Sequence, residues 1–184
     1  MLTNAAREES TPHAPRSHSG RARLSLSARI ARRVCWLAIV AACGADAGVA
    51  PASSTYVAEL NGANERPPRP TSGTGRATFT VNGGIAAYEV TVSGLSGAAT
   101  VAHVIIGSEQ TAAGQIVVAL DVRAQSGTIA TGAIDLCRPV TYNNSTISGD
   151  SLRSLFERGT AYVNVYSTTY PSGEVRGQIT RRPP

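Results

Sequence analysis

The stretch "GRATFTVN", residues 75–82, places Ala77, Phe79 and Val81 on one side of an extended chain and Arg76, Thr78 and Thr80 on the other. Asn82-Gly83-Gly84 follows, and these residues tolerate the positive φ that a tight hairpin needs. "AYEVTVS", residues 87–93, then alternates again, with Tyr88, Val90 and Val92 opposed to Glu89 and Thr91. A period of two with one apolar face is the mark of half-buried antiparallel strands, and it excludes an amphipathic helix here.

The same signal recurs along the second half of the chain. "TYVAEL" at 55–60 opens the series. "TVAHVII" at 100–106, "QIVVALD" at 115–121 and "GTIATGAI" at 127–134 continue it, and "YVNVY" and "EVRGQI" close it. About eight short strands with turn residues between them predict an all-β, antiparallel sandwich or barrel. One segment departs from the rhythm. "SGDSLRSLFERG" sets Leu152, Leu155 and Phe156 at i, i+3 and i+4, with Asp150 as candidate cap and Gly159 as candidate stop. It predicts one or two helical turns near 150–158 that plug an end of the strand assembly with an apolar stripe.

The first fifty residues are of another kind. Residues 1–33 are basic and without apolar periodicity, and they read as disordered. Met1 is the only Met, so a true start further in, at a non-ATG codon, would shorten this region. Residues 34–43 begin with the nine-residue apolar run "VCWLAIVAA" behind Arg32-Arg33, a secretory signal pattern too short to span a bilayer as a mature helix. "VAAC" ends on Cys43 and resembles a bacterial lipobox, whose Cys is lipidated and becomes the mature terminus. The alternative is ordinary cleavage after Ala45-Asp46-Ala47, giving a soluble secreted product. Gly44 after the Cys favours the outer membrane as the destination of a lipidated form over a soluble periplasmic or secreted one. Residues 44–54 form a linker, and the folded domain is expected over 55–182.

Charge bears on partners. Residues 1–42 carry 7 Arg against 2 Glu, and residues 43–184 carry 10 Arg against 10 Asp plus Glu. The net charge of +5 therefore sits in the leader. A neutral domain lacks the basic excess that neutralises nucleic-acid phosphates, so no nucleic-acid partner is expected.

Catalytic constellations are thin. His13 and His18 lie in the leader and only His103 lies in the domain. It stands mid-strand on the Val101/His103/Ile105 face, where a hydrogen-bonded structural histidine is the expectation. With Cys35 and Cys43 in the leader, the domain has only Cys137, expected as a buried thiol with dimerisation through it as the alternative, and no zinc-type spacing exists. No catalytic residue, metal site or cofactor is expected, and the chain is read as a non-enzyme.

Three stretches in order resemble the CHRD domain: "ELNGANERPP" at 59–68, "YEVTVSGLSGAATVAHV" at 88–104, and "YVNVYSTTYPSGEVRGQI" at 162–179. The resemblance implies a Greek-key β-sandwich of the immunoglobulin-like or Cu,Zn superoxide-dismutase-like kind. It assigns no activity. The family's paired H-x-H becomes His103-Val104-Ile105 here, and its third His becomes Tyr166. A metal-binding or dismutase-like redox protein, the alternative function, is weakened by that loss. The polar cluster His103, Asn164, Tyr166, Glu174 and Arg176 is expected either to bind a ligand or to lock the last two strands. In the locking version Asn164, Glu174 and Arg176 supply hydrogen bonds and an ion pair. The expected function is an exported, lipid-anchored, non-catalytic binding or structural module. Its partners would be the membrane, through Cys43, and an envelope protein or glycan.

Overall fold

A computed structural model describes residues 52–183. The leader, the lipobox with Cys43 and most of the linker lie outside the described residues. Among the described residues there are eleven strands and one helix: β1 Ser54–Asn61, β2 Thr74–Asn82, β3 Ile85–Ser93, β4 Ala99–Ile106, β5 Ile116–Leu120, β6 Gly127–Asp135, β7 Val140–Tyr142, β8 Ser145–Ile147, α1 Gly149–Arg158, β9 Ala161–Ser167, β10 Val175–Gln178 and β11 Thr180–Arg181. A single 3-10 turn, Gly62–Asn64, follows β1.

The main sheet runs in the order β5-β4-β9-β10-β1-β2-β3-β6, with β11 paired to β1. Its two ends approach each other: Val122, just after β5, bridges to Ala130 of β6. The all-β expectation therefore holds in the form of one curled, nearly closed antiparallel sheet. The eight expected strands are all present, and β7, β8 and β11 are short additions.

The β2–β3 hairpin forms as expected. Asn82 pairs with Ile85 across a two-residue turn, and Gly83 takes φ +57°. Ala77, Phe79 and Val81 are buried, and Arg76 and Thr80 are exposed. The inward side chains of all the main strands meet in one apolar core. α1 closes it. Leu152 and Phe156 are fully buried, and Phe156 lies 5.0 Å from Phe79 and 5.7 Å from Tyr56 between ring centroids. Fully burying one such side chain contributes about 1.5–3 kcal/mol. The helix cap differs from expectation. Ser148, not Asp150, is the N-cap, its hydroxyl accepting the Ser151 N–H, while Asp150 sits in the first turn where its charge favours the helix dipole. Gly159 ends the helix in the left-handed region at φ +62°, as read.

Cys137 corrects another expectation. It is exposed, at the turn after β6, so it is not buried.

Candidate functional site

Register assembles the site. In the antiparallel ladder His103 of β4 stands opposite Asn164 of β9, Asn164 opposite Arg176 of β10, and Arg176 opposite Asn61 of β1. These four residues form one row across four strands, on the face turned away from the apolar core. Such a face normally meets water, yet His103, Asn164 and Arg176 are buried. Two connections fold over the row: residues 62–73 between β1 and β2, and residues 107–115 between β4 and β5.

Arg176 and Gln178 bind the second connection. The Arg176 guanidinium lies 3.4 Å from the Tyr162 ring centroid. Its Nη1 donates to the Thr111 carbonyl at 2.6 Å and its Nη2 to the Ser108 carbonyl at 2.7 Å. Gln178 Nε2 donates to the carbonyls of Gly107, Gly159 and Ala161 at 2.7–2.9 Å. Alternation on β10 thus directs two side chains to one loop, and together they clasp it to the sheet.

The first connection brings Glu65, which stands in the "ERPP" stretch and is only 5% exposed. Asn164 Nδ2 reaches its Oε2 at 3.4 Å. Burial pushes the Glu65 carboxyl above its ordinary value, and the positive charges of Arg176 and Arg69 offset this only in part. Gly173, at φ +115°, packs directly on the pair. A Cβ there would sit 2.7 Å from Asn164 Nδ2 and 2.8 Å from Glu65 Oε1, so both conformation and space require glycine.

Glu174 belongs to a different neighbourhood. It is fully buried, and its Oε1 accepts from Thr71 Oγ1 and from the Ser96 N–H, each at 2.6 Å. Burial would raise its pKa, but hydrogen bonds from Ser167, Thr71 and Ser96 outweigh it and hold the carboxyl below the ordinary value. The expected ion pair with Arg176 is not formed. Glu174 sits in the bend before β10, and its carboxylate runs to the connections at 71 and 96, while Arg176 turns to the 107–115 loop. Among the described residues the ion pairs are Glu59–Arg76, Asp121–Arg123 and Asp135–Arg138, all on the surface.

His103 Nε2 lies 3.3 Å from the Tyr142 hydroxyl of β7. Its ring meets those of Tyr142 and Tyr166 at 5.2 and 5.3 Å between centroids. Burial pushes its pKa down, which favours the neutral imidazole. Tyr166, half-buried in the position read as the lost histidine, presents an aromatic face to His103 and has its hydroxyl pKa raised by burial. The structure thus brings His103, Asn164, Tyr166 and Arg176 to one face and places Glu174 apart from them. Glu65, Gln178 and Tyr142 complete the polar layer. Glu65 was signalled by its place in the first quoted motif; Tyr142 carried no signal, because β7 is too short to show alternation.

The model of the CHRD domain matches residues 56–179. No curated protein and no solved structure matches. The matched span begins in β1 and ends just after β10, taking in the Glu65 turn, the His103 strand and the Arg176–Gln178 clasp, and on that ground the chain belongs to the CHRD-domain family.

Proposed function

We propose that this protein is an exported, lipid-anchored module of the bacterial envelope that binds a partner without catalysis. One observation carries the non-catalytic reading: the polar residues of the closing motif are engaged in holding the fold. Arg176 and Gln178 clasp the 107–115 loop, Asn164 meets Glu65, and Glu174 ties together the connections at 71 and 96. The layer's one imidazole meets the Tyr142 hydroxyl through Nε2 and packs against two tyrosine rings, but among the described residues its Nδ1 has no hydrogen-bond partner to orient it as a base. Such a scaffold leaves its outer surfaces for recognition. The anchor rests on the "VAAC" pattern and on the linker from Gly44 to the start of β1.

Intact-mass analysis of the mature protein from membranes tests the anchored form. A diacylglyceryl-modified Cys43 at the terminus is the expected result; an unmodified chain starting at Gly48 replaces the anchored reading with the secreted one. Capture with the mature protein on envelope extracts tests the binding reading. Repeated failure to enrich any protein or glycan counts against it.

A further inference from the structure

Beside the clasped loop lies a recess of about 80 Å³, lined by Asn64, Arg66, Glu109, Arg176 and Gln178. Asn64, Glu109 and Gln178 also line an open cleft of about 460 Å³, whose walls include Arg76, Arg181 and Arg182. We propose that recess and cleft form one site for an acidic oligosaccharide. Its oxyanion, a carboxylate or phosphate, sits against Arg176 and Arg66, and its sugar rings occupy the cleft. This rests on the reading of the protein as a binding module and names the ligand class.

Three observations converge on an anion carried by a sugar. First, Arg176 is 2% exposed and takes part in none of the ion pairs of the described residues. Its two donated hydrogen bonds go to neutral carbonyls. A buried guanidinium held this way is poised for a counter-anion, since an unpaired buried charge is costly. Of the nearby acids, Glu65 is itself buried and meets Asn164, and Glu109 is exposed; neither comes within ion-pair distance of Arg176. Second, the recess opens toward more positive charge: Arg181 and Arg182 are exposed, whereas Arg76 is paired with Glu59. β11 fixes Arg181 opposite Tyr56 of β1, so these cations are held by the sheet. Third, Asn64, Glu109 and Gln178 line both spaces, so polar side chains able to pair with sugar hydroxyls run from the recess into the cleft. The cleft falls within the range of about 300–1,000 Å³ usual for small-molecule sites and exceeds what a bare oxyanion fills.

Calorimetry on the mature protein tests the site, with hexagalacturonate as the carboxylate probe and a phosphorylated mannan oligomer as the phosphate probe. Controls are the methyl ester of the first, the dephosphorylated form of the second, and acetate and inorganic phosphate. At least one charged oligomer is expected to bind about tenfold or more tightly than both its neutral form and the bare anion. Arg66→Gln is expected to weaken binding about tenfold. The Arg181→Ala/Arg182→Ala double variant should weaken it and reduce its salt dependence. These side chains are half-buried or exposed, so unchanged melting temperatures show that the variants fold. Arg176→Lys, which keeps the charge and loses the fork, should weaken binding further, with melting followed in parallel. Glu109→Gln should tighten it about threefold by removing a like charge. Equal binding of neutral oligomers, binding no tighter than the bare anions, or binding unaffected by the arginine variants each overturns the site. A partner captured from the envelope that is not an acidic glycan overturns this ligand class while the binding reading stands.

Discussion

Glu65 and Glu174 are both buried carboxyls, and their surroundings push them in opposite directions. Glu65 faces a thin donor set, so desolvation dominates and its folded pKa is raised. Its contribution to stability is full below the ordinary value near 4.5 and is lost as pH rises through the folded value. Glu174 is held by hydroxyl and amide donors, so its folded pKa is lowered. Its contribution is present above the ordinary value and is lost as pH falls through the lower folded one. Two outcomes follow for denaturant midpoints measured across pH. Glu65→Gln, which resembles the neutral acid, should flatten the loss of stability on the rising side. Glu174→Gln should flatten the acid side and cost about 2 kcal/mol at neutral pH through weakened charge-assisted bonds. A Glu65→Gln curve parallel to the wild type would falsify the first assignment. Gly173→Ala adds a Cβ onto Asn164 and Glu65 at a left-handed φ. It is expected to cost about 2–3 kcal/mol, read as a lowered midpoint with unchanged slope. The sequence named Asn164, Glu174 and Arg176 through their alternation, but alternation reports only which face a side chain takes. What folds over that face comes from loops far away in the chain: Glu65 meets Asn164 across a separation of 99 residues. A carboxylate before two prolines reads locally as part of a turn, and only packing makes it a buried group.

The 107–115 loop owes its place to β10. Among the described residues its carbonyl oxygens at 107, 108 and 111 accept from Gln178 and Arg176. Gln178→Ala removes one amide that serves three carbonyls, each of which loses a donor. A loss of about 3 kcal/mol is expected, with protease cutting appearing first within residues 108–114. If cutting begins elsewhere, the clasp is not what orders this loop. The helix is the complementary case. Phe156→Ala should cost about 3–5 kcal/mol, because the ring fills space between Tyr56 and Phe79 that rigid strands cannot close. Strong elements were legible for a physical reason. Strands of seven to nine residues such as β2, β3 and β9 give several cycles of alternation, and the i, i+3, i+4 stripe of α1 stands out against them. β7, β8 and β11 span three, three and two residues, less than two cycles, and their existence depends on the neighbours they pair with.

Strand order decides how the whole domain holds together, and no local pattern contains it. β9 pairs with β4, and β10 joins β9 to β1, so Asn61 and Arg176 become partners across almost the full domain. β1, β2 and β3 are built from hairpins and, with β6, form one half of the sheet; β5, β4 and β9 form the other. β10 is the strand that connects the halves, and the Val122–Ala130 bridge brings their far edges together. A chain ending after Ser172 keeps nearly every strand but loses this join. It also loses buried Val175 and Ile179, the Arg176–Gln178 clasp and the Glu174 tie. Such a chain is expected to lack a cooperative thermal transition and near-ultraviolet dichroism, since two half-sheets with unpaired edges do not form one core. A chain ending after Ile179 keeps β10 and loses only β11 and the tail. It should fold with a melting temperature lowered by several degrees, because β11 contributes two exposed residues to the edge of β1. Cooperative unfolding of the Ser172 truncation would show that the halves are held together without β10. Failure of the Ile179 truncation to fold would move the keystone of the sheet to β11.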